Sequence, residues 1–287
     1  MPPKPDLLFR IATDIAGTMP TSRHLAAALA IGGALLFARP AAADDADRTL
    51  LATFCNAADI AGSACRKARG YPDAGTRACD VKLTKERHRG KFIADHPLLV
   101  IGYESGCEPH ATDGGGSVVF ELVADKHVFR SFQPGTQVND CVTLPEDTTQ
   151  DILVCITGHM GQGYLESGVA QVTFKGGAGK DIETSFDFLL NATDSIGAHG
   201  ANTVTCKEGP KYFGVSKLAA GPRPMTVTVE VEYADAATIR AACGKKFPRP
   251  KETFGKLSKG EAYVPDGYAK KGKFIVDFAT RKVAPQG

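Results

Sequence analysis

Thr226-Val-Thr-Val-Glu-Val-Glu232 alternates valine with threonine or glutamate at every step. A period of two belongs to a strand, where successive side chains point to opposite faces. β-branched residues also favour a pleated surface over a helix. Valine on one face and polar groups on the other predict a strand that is buried on one side and wet on the other.

The strand-like runs upstream have a different texture. Pro97–Tyr103, Ser117–Ala124 and Lys126–Phe132 are short, apolar or β-branched, and bounded by turn signals such as Gly114-Gly115-Gly116 and Pro134-Gly135. Similar runs follow at 151–157, 168–174, 181–190 and 202–206. Helices long enough to carry parallel crossovers do not separate them, so the strands should pair antiparallel. The expected fold is mainly β: an antiparallel β-sandwich or compact all-β domain with short N-terminal helices, stapled by disulfides. A β-propeller-like fragment is the alternative. It rests on residues 97–120 and 151–174, which align at an offset of 54 through Leu99/Leu153, Val100/Val154, Gly114/Gly168, Val118/Val172 and Phe120/Phe174. A propeller usually repeats its unit at least about four times, and only two copies are visible.

Residues 46–69 carry Leu50, Leu51, Phe54 and Ala58 at helical spacing, interrupted at Gly62. A second short helix is expected from Asp235 to Gly244, with Asp235 as N-cap and Gly244 as the stop.

At the N-terminus, Leu25–Phe37 is an uncharged run of thirteen residues, preceded by Arg23 and followed by Ala41-Ala42-Ala43. A membrane-spanning helix needs roughly 20 apolar residues, whereas a signal-peptide core needs about 7–15. Residues 1–43 therefore read as a secretion signal peptide cleaved after Ala43, with Met19 as a candidate start. Residues 44–243 form the disulfide-bonded β domain, including the helical segment 46–69, and residues 244–287 form a basic C-terminal tail. The expected location is periplasmic or extracellular, with no membrane span in the mature chain.

All eight cysteines lie beyond the signal: Cys55, Cys65, Cys79, Cys107, Cys141, Cys155, Cys206 and Cys243. An even count in an exported chain reads as four disulfides. Zinc or redox chemistry would want CxxC-like spacing, but the closest pair, Cys55 and Cys65, stands ten residues apart. No metal or cofactor is expected. Cys141 with Cys155 and Cys206 with Cys243 are the two pairs with a local rationale: one brackets a turn-rich segment and the other the last strong strand.

Formal charge is +2 overall, yet residues 244–287 hold eleven cations against four anions, which leaves an acidic body. The basic tail reads either as a solvated strap that neutralises this body or as a contact for an anionic surface or envelope polysaccharide. Nucleic acid is not an expected partner of an exported chain.

The most site-like stretch is Thr157–Gly168, where His159, Gln162, Tyr164 and Glu166 are interleaved with glycines. Glycine permits close approach of a ligand and also favours plain turns. Its counterpart at 106–116 offers Glu108, His110 and Asp113. Together His110, Asp113, His159, Gln162, Tyr164 and Glu166 are the candidate ligand-binding residues. A His/carboxylate cluster among them would support a hydrolase, and Ser105 or Ser167 with His159 or His199 would be needed for serine chemistry. The sequence contains no HExxH, GxSxG or phosphate-loop motif. The favoured expectation is a non-catalytic binding domain for an envelope protein or glycan, with the hydrolase as alternative.

Overall fold

The structure, a computed structural model, describes residues 41–71, 80–105, 115–138, 140–177, 179, 181–250 and 256–286. The proposed signal core, Cys79, Cys107, His110 and Asp113 lie outside the described residues.

The first sheet is a six-stranded antiparallel meander of β1 (Ile60–Ala61), β2 (Ala64–Cys65), β3 (Val81–Ile93), β4 (His96–Ser105), β5 (Gly115–Val123) and β6 (Lys126–Pro134). The second is a four-stranded meander of β7 (Asp140–Pro145), β8 (Asp151–Gly161), β9 (Tyr164–Lys175) and β10 (Glu183–Asp194). After the short helix α2 (Ile196–His199), β11 (Asn202–Thr205) leads to β12 (Lys211–Ala220) and β13 (Thr226–Ala234). Helix α3 (Ala236–Cys243) and β14 (Glu261–Val264) follow, then β15 (Lys270–Asp277) and β16 (Lys282–Pro285). The third large sheet has the order β12-β13-β15-β16, and β11 pairs with β14 beside it. A further helix, α1 (Ala41–Leu51), opens the described chain.

The strand texture has a direct cause in the layering. On one face of the first sheet, Leu99, Ile101, Val118 and Phe120 pack with Leu50, Leu51 and Phe54 from α1 and the turn after it. On its other face, Leu98, Val100 and Val119 meet Leu153, Cys155, Val172 and Phe174 of the second sheet. The opposite face of that second sheet, with Ile152, Val154, Val169 and Leu190, meets Val227, Val229, Val231, Phe274 and Val276 of the third. Three sheets are thus stacked face to face. A strand covered on both faces needs apolar residues at consecutive positions, as at Leu98–Ile101. Strand β13 lies in an outer layer, so Val227, Val229 and Val231 are buried while Thr228, Glu230 and Glu232 are only half-buried. This is the alternation of the opening stretch.

The propeller-like alternative is not met. The sheets have six, four, two and four strands and share cores face to face. The two aligned hairpins also differ in register. Leu99 pairs with Phe120 in the first, but Leu153 pairs with Val172 in the second, a slip of two residues from equivalence. Their likeness is that of two buried antiparallel hairpins.

Three disulfides join described cysteines. Cys141 and Cys155 stand directly opposite each other on β7 and β8, with Cα atoms 4.0 Å apart. Cys206–Cys243 ties the end of β11 to the end of α3, and Cys55–Cys65 closes the loop after α1. Helical structure in the 46–69 segment ends early. After Leu51 the chain turns, makes one 3-10 turn at Ala57–Asp59, and reverses through Gly62 (φ +58°) into the β1–β2 pair. Asp235 caps α3, its Oδ1 accepting from the Thr238 amide at 2.8 Å. Residues 261–285 supply three strands. The run Lys273–Phe278 falls largely in β15, between β13 and β16, and Lys270 and Lys271 pair with Asp235 and Glu232 at 2.5 and 3.5 Å.

Candidate functional site

Strands β8 and β9 continue past the layers that cover them. Their connection is the two-residue turn Gln162-Gly163, with φ of 52° and 82°. Left-handed backbone at both central positions matches the right-handed twist of a hairpin, and the second position is glycine. The glycine-rich stretch is therefore a tight hairpin. Its tip is fastened to α2. A Cβ on Gly163 would come within 2.7 Å of the Ala198 nitrogen, and the Tyr164 hydroxyl lies 2.7 Å from His199 Nε2. In the ladder His159 stands opposite Glu166 and Met160 opposite Leu165. Of the six candidate residues, the hairpin thus brings His159, Gln162, Tyr164 and Glu166 into one short segment.

Beside this hairpin a groove of about 360 Å³ is lined by Thr157, Glu166, Phe188, Asn191 and Thr193. Two local features build it. A Cβ on Gly168 would lie 2.8 Å from Cδ1 of Phe188, so the bare glycine leaves room for that ring against β9. The register of β10 also slips between Phe188 and Leu190. Phe188 pairs with Ala170 before the slip, and Asn191 and Thr193 pair with Gly168 and Glu166 after it. The bulge therefore turns Asn191 and Thr193 to the face that carries Phe188, as bulges re-aim side chains elsewhere. Phe188 is 39% exposed. The result is an open aromatic surface ringed by a carboxylate, an amide and two hydroxyls.

Phe188, Asn191 and Thr193 were not singled out by sequence reasoning, since they lie in or next to an ordinary strand pattern. Gly168 opposite an aromatic strand was the available signal. A second unforeseen feature is the buried carboxylate of Glu121, which accepts hydrogen bonds from Arg130 Nε at 2.7 Å and is contacted by His96 Nδ1 at 3.0 Å. Burial raises its pKa, but the hydrogen bonds from His96 and Arg130, with their charges, hold it below the ordinary glutamate value. This cluster fastens β4, β5 and β6 together at the edge of the first sheet.

Among the described residues, no group of three His, Cys, Asp or Glu side chains is arranged to hold a metal ion. No described helix is long and apolar enough to cross a membrane. No protein-family model matches the chain, and neither a curated protein nor a solved structure matches it.

Proposed function

We propose that this chain is an exported, non-catalytic binding domain for glycans of the cell envelope, and that the Phe188 groove is its recognition surface. The observation that carries the reading is the placement of an exposed aromatic ring among Thr157, Glu166, Asn191 and Thr193. A sugar ring has an apolar C–H face and a rim of hydroxyls. An aromatic face matches the first, and a few convergent acceptors and donors match the second. Three disulfides among the described residues fit an oxidising compartment, as does the signal-like N-terminus.

Calorimetric titration with a panel of envelope oligosaccharides tests this. At least one should bind, and Phe188→Ala should weaken it at least tenfold with an unchanged melting temperature. Equal affinity in the variant would remove the groove from the account.

One observation favours a hydrolase as second reading: His159 stands opposite Glu166 in the β8–β9 ladder, and Glu166 lines the groove. That reading requires turnover of a panel member, detected as released reducing ends and abolished by Glu166→Gln. Binding without turnover supports the first reading.

A further inference from the structure

Some of the described lysines and arginines have a carboxylate partner, and many do not. Arg87 pairs with Asp47, Arg130 with Glu121, Lys217 with Glu230, Arg223 with Asp277, Lys270 with Asp235 and Arg281 with Asp187. Lys245, Arg249 and Lys256 are among those without one. They are exposed, and among the described residues no carboxylate pairs with them. All three line one groove of about 600 Å³ between the end of α3 and β14, with Phe247 and Tyr263 among its walls. Phe247 also stacks on Tyr268, with ring centroids 4.6 Å apart, and Tyr268 is 44% exposed.

This groove rests on a firm base. The Cys206–Cys243 disulfide pins the end of α3 that forms one wall, and Phe247 packs against the cluster of Ile239, Ala242, Ala262 and Val264. The acidic residue in the lining, Glu261, accepts a hydrogen bond from the Ser258 amide at 2.8 Å. The lining thus carries three cations against one carboxylate, and this surplus of positive charge would favour an anionic ligand.

We propose that this groove is a second binding site, separate from the Phe188 groove, and that it takes an acidic polysaccharide. Lys245, Arg249 and Lys256 would engage successive carboxylates, and the Phe247–Tyr268 pair would lie against a sugar face. A bilayer cannot follow a concave groove of this size, whereas an extended acidic chain can lie along it. The proposal stands independently of the Phe188 reading, because the two grooves share no residue.

The test uses tetragalacturonate as the acidic probe, cellotetraose as its neutral counterpart, and vesicles containing phosphatidylglycerol. The intact protein should bind tetragalacturonate, with affinity falling steeply as salt is raised. Lys245→Gln/Arg249→Gln/Lys256→Gln should lose at least tenfold, and Tyr268→Ala should lose several-fold. Phe188→Ala should retain full affinity. These side chains are exposed, and unchanged melting curves would confirm folding. Wild-type affinity in the triple variant overturns the site, as does failure of the intact protein to bind. Loss of binding in Phe188→Ala would assign the acidic glycan to the other groove, and binding only to the vesicles would replace the polysaccharide with a membrane.

Discussion

The second sheet presents two different environments on the same strands. Near its middle, Leu153, Val154, Cys155, Val169 and Ala170 are fully buried, with one face against the first sheet and the other against the third. A few residues further along β8 and β9, Met160 and Leu165 are 59% and 44% exposed. The hydrogen-bond ladder continues unbroken from one region to the other, from Leu153↔Val172 to Gly161↔Tyr164. What changes is the cover. The inner region has its identity dictated by packing. The overhang keeps its shape through the ladder, the Gln162-Gly163 turn and the docking onto α2, with Met160 and Leu165 left exposed.

The sharpest way to break this comparison is a matched pair of truncations. Leu153→Ala, in the doubly covered region, should lower unfolding stability by about 2–5 kcal/mol. Leu165→Ala, in the overhang, should stay within about 0.5 kcal/mol of the parent protein. Denaturant unfolding measures both. Similar losses at the two positions would mean that the overhang is packed as tightly as the core.

How far the sequence revealed each region follows from the same physics. Strand β13 was legible because one covered face imposes a period of two. Strands β4, β5, β8 and β9 were legible as short apolar runs, although the runs did not say that each sheet is covered on both faces. The Cys141–Cys155 and Cys206–Cys243 pairs were found from the turn-rich segment and the strand that they bracket, and the Asp235 cap of α3 from the local helix pattern. The proposed groove was half legible. Glycines marked the β8–β9 hairpin, but the bulge after Phe188 depends on pairing with β9, and no local signal in β10 announces it. Contacts that join distant strands, such as Glu121 with His96 and Arg130, leave no mark in a single sequence.

A smaller effect sharpens the contrast between covered and open regions at a helix end. Asp235→Ala removes the hydrogen bond to the Thr238 amide and should lower stability by about 1 kcal/mol, read from a shift in the denaturant midpoint.

The smallest expected effect concerns pH and again sets an enclosed group against an open surface. The folded-state pKa of Glu121 is depressed, so its contribution is complete above the unfolded value of about 4.3 and is lost as pH falls through the folded value. Unfolding stability should therefore decline on acidification below about pH 4.3, and Glu121→Gln should flatten that decline. An unchanged slope in the variant would show that the ion pairs with His96 and Arg130 do not carry it.

The most direct test of the account is amide chemical-shift mapping of the isotope-labelled protein with the neutral oligosaccharide that binds most tightly in the panel. The account predicts perturbations concentrated at residues 157–168 and 188–193 when a neutral glycan is added. Perturbations elsewhere, with those two segments silent, would contradict the assignment of recognition to the overhang.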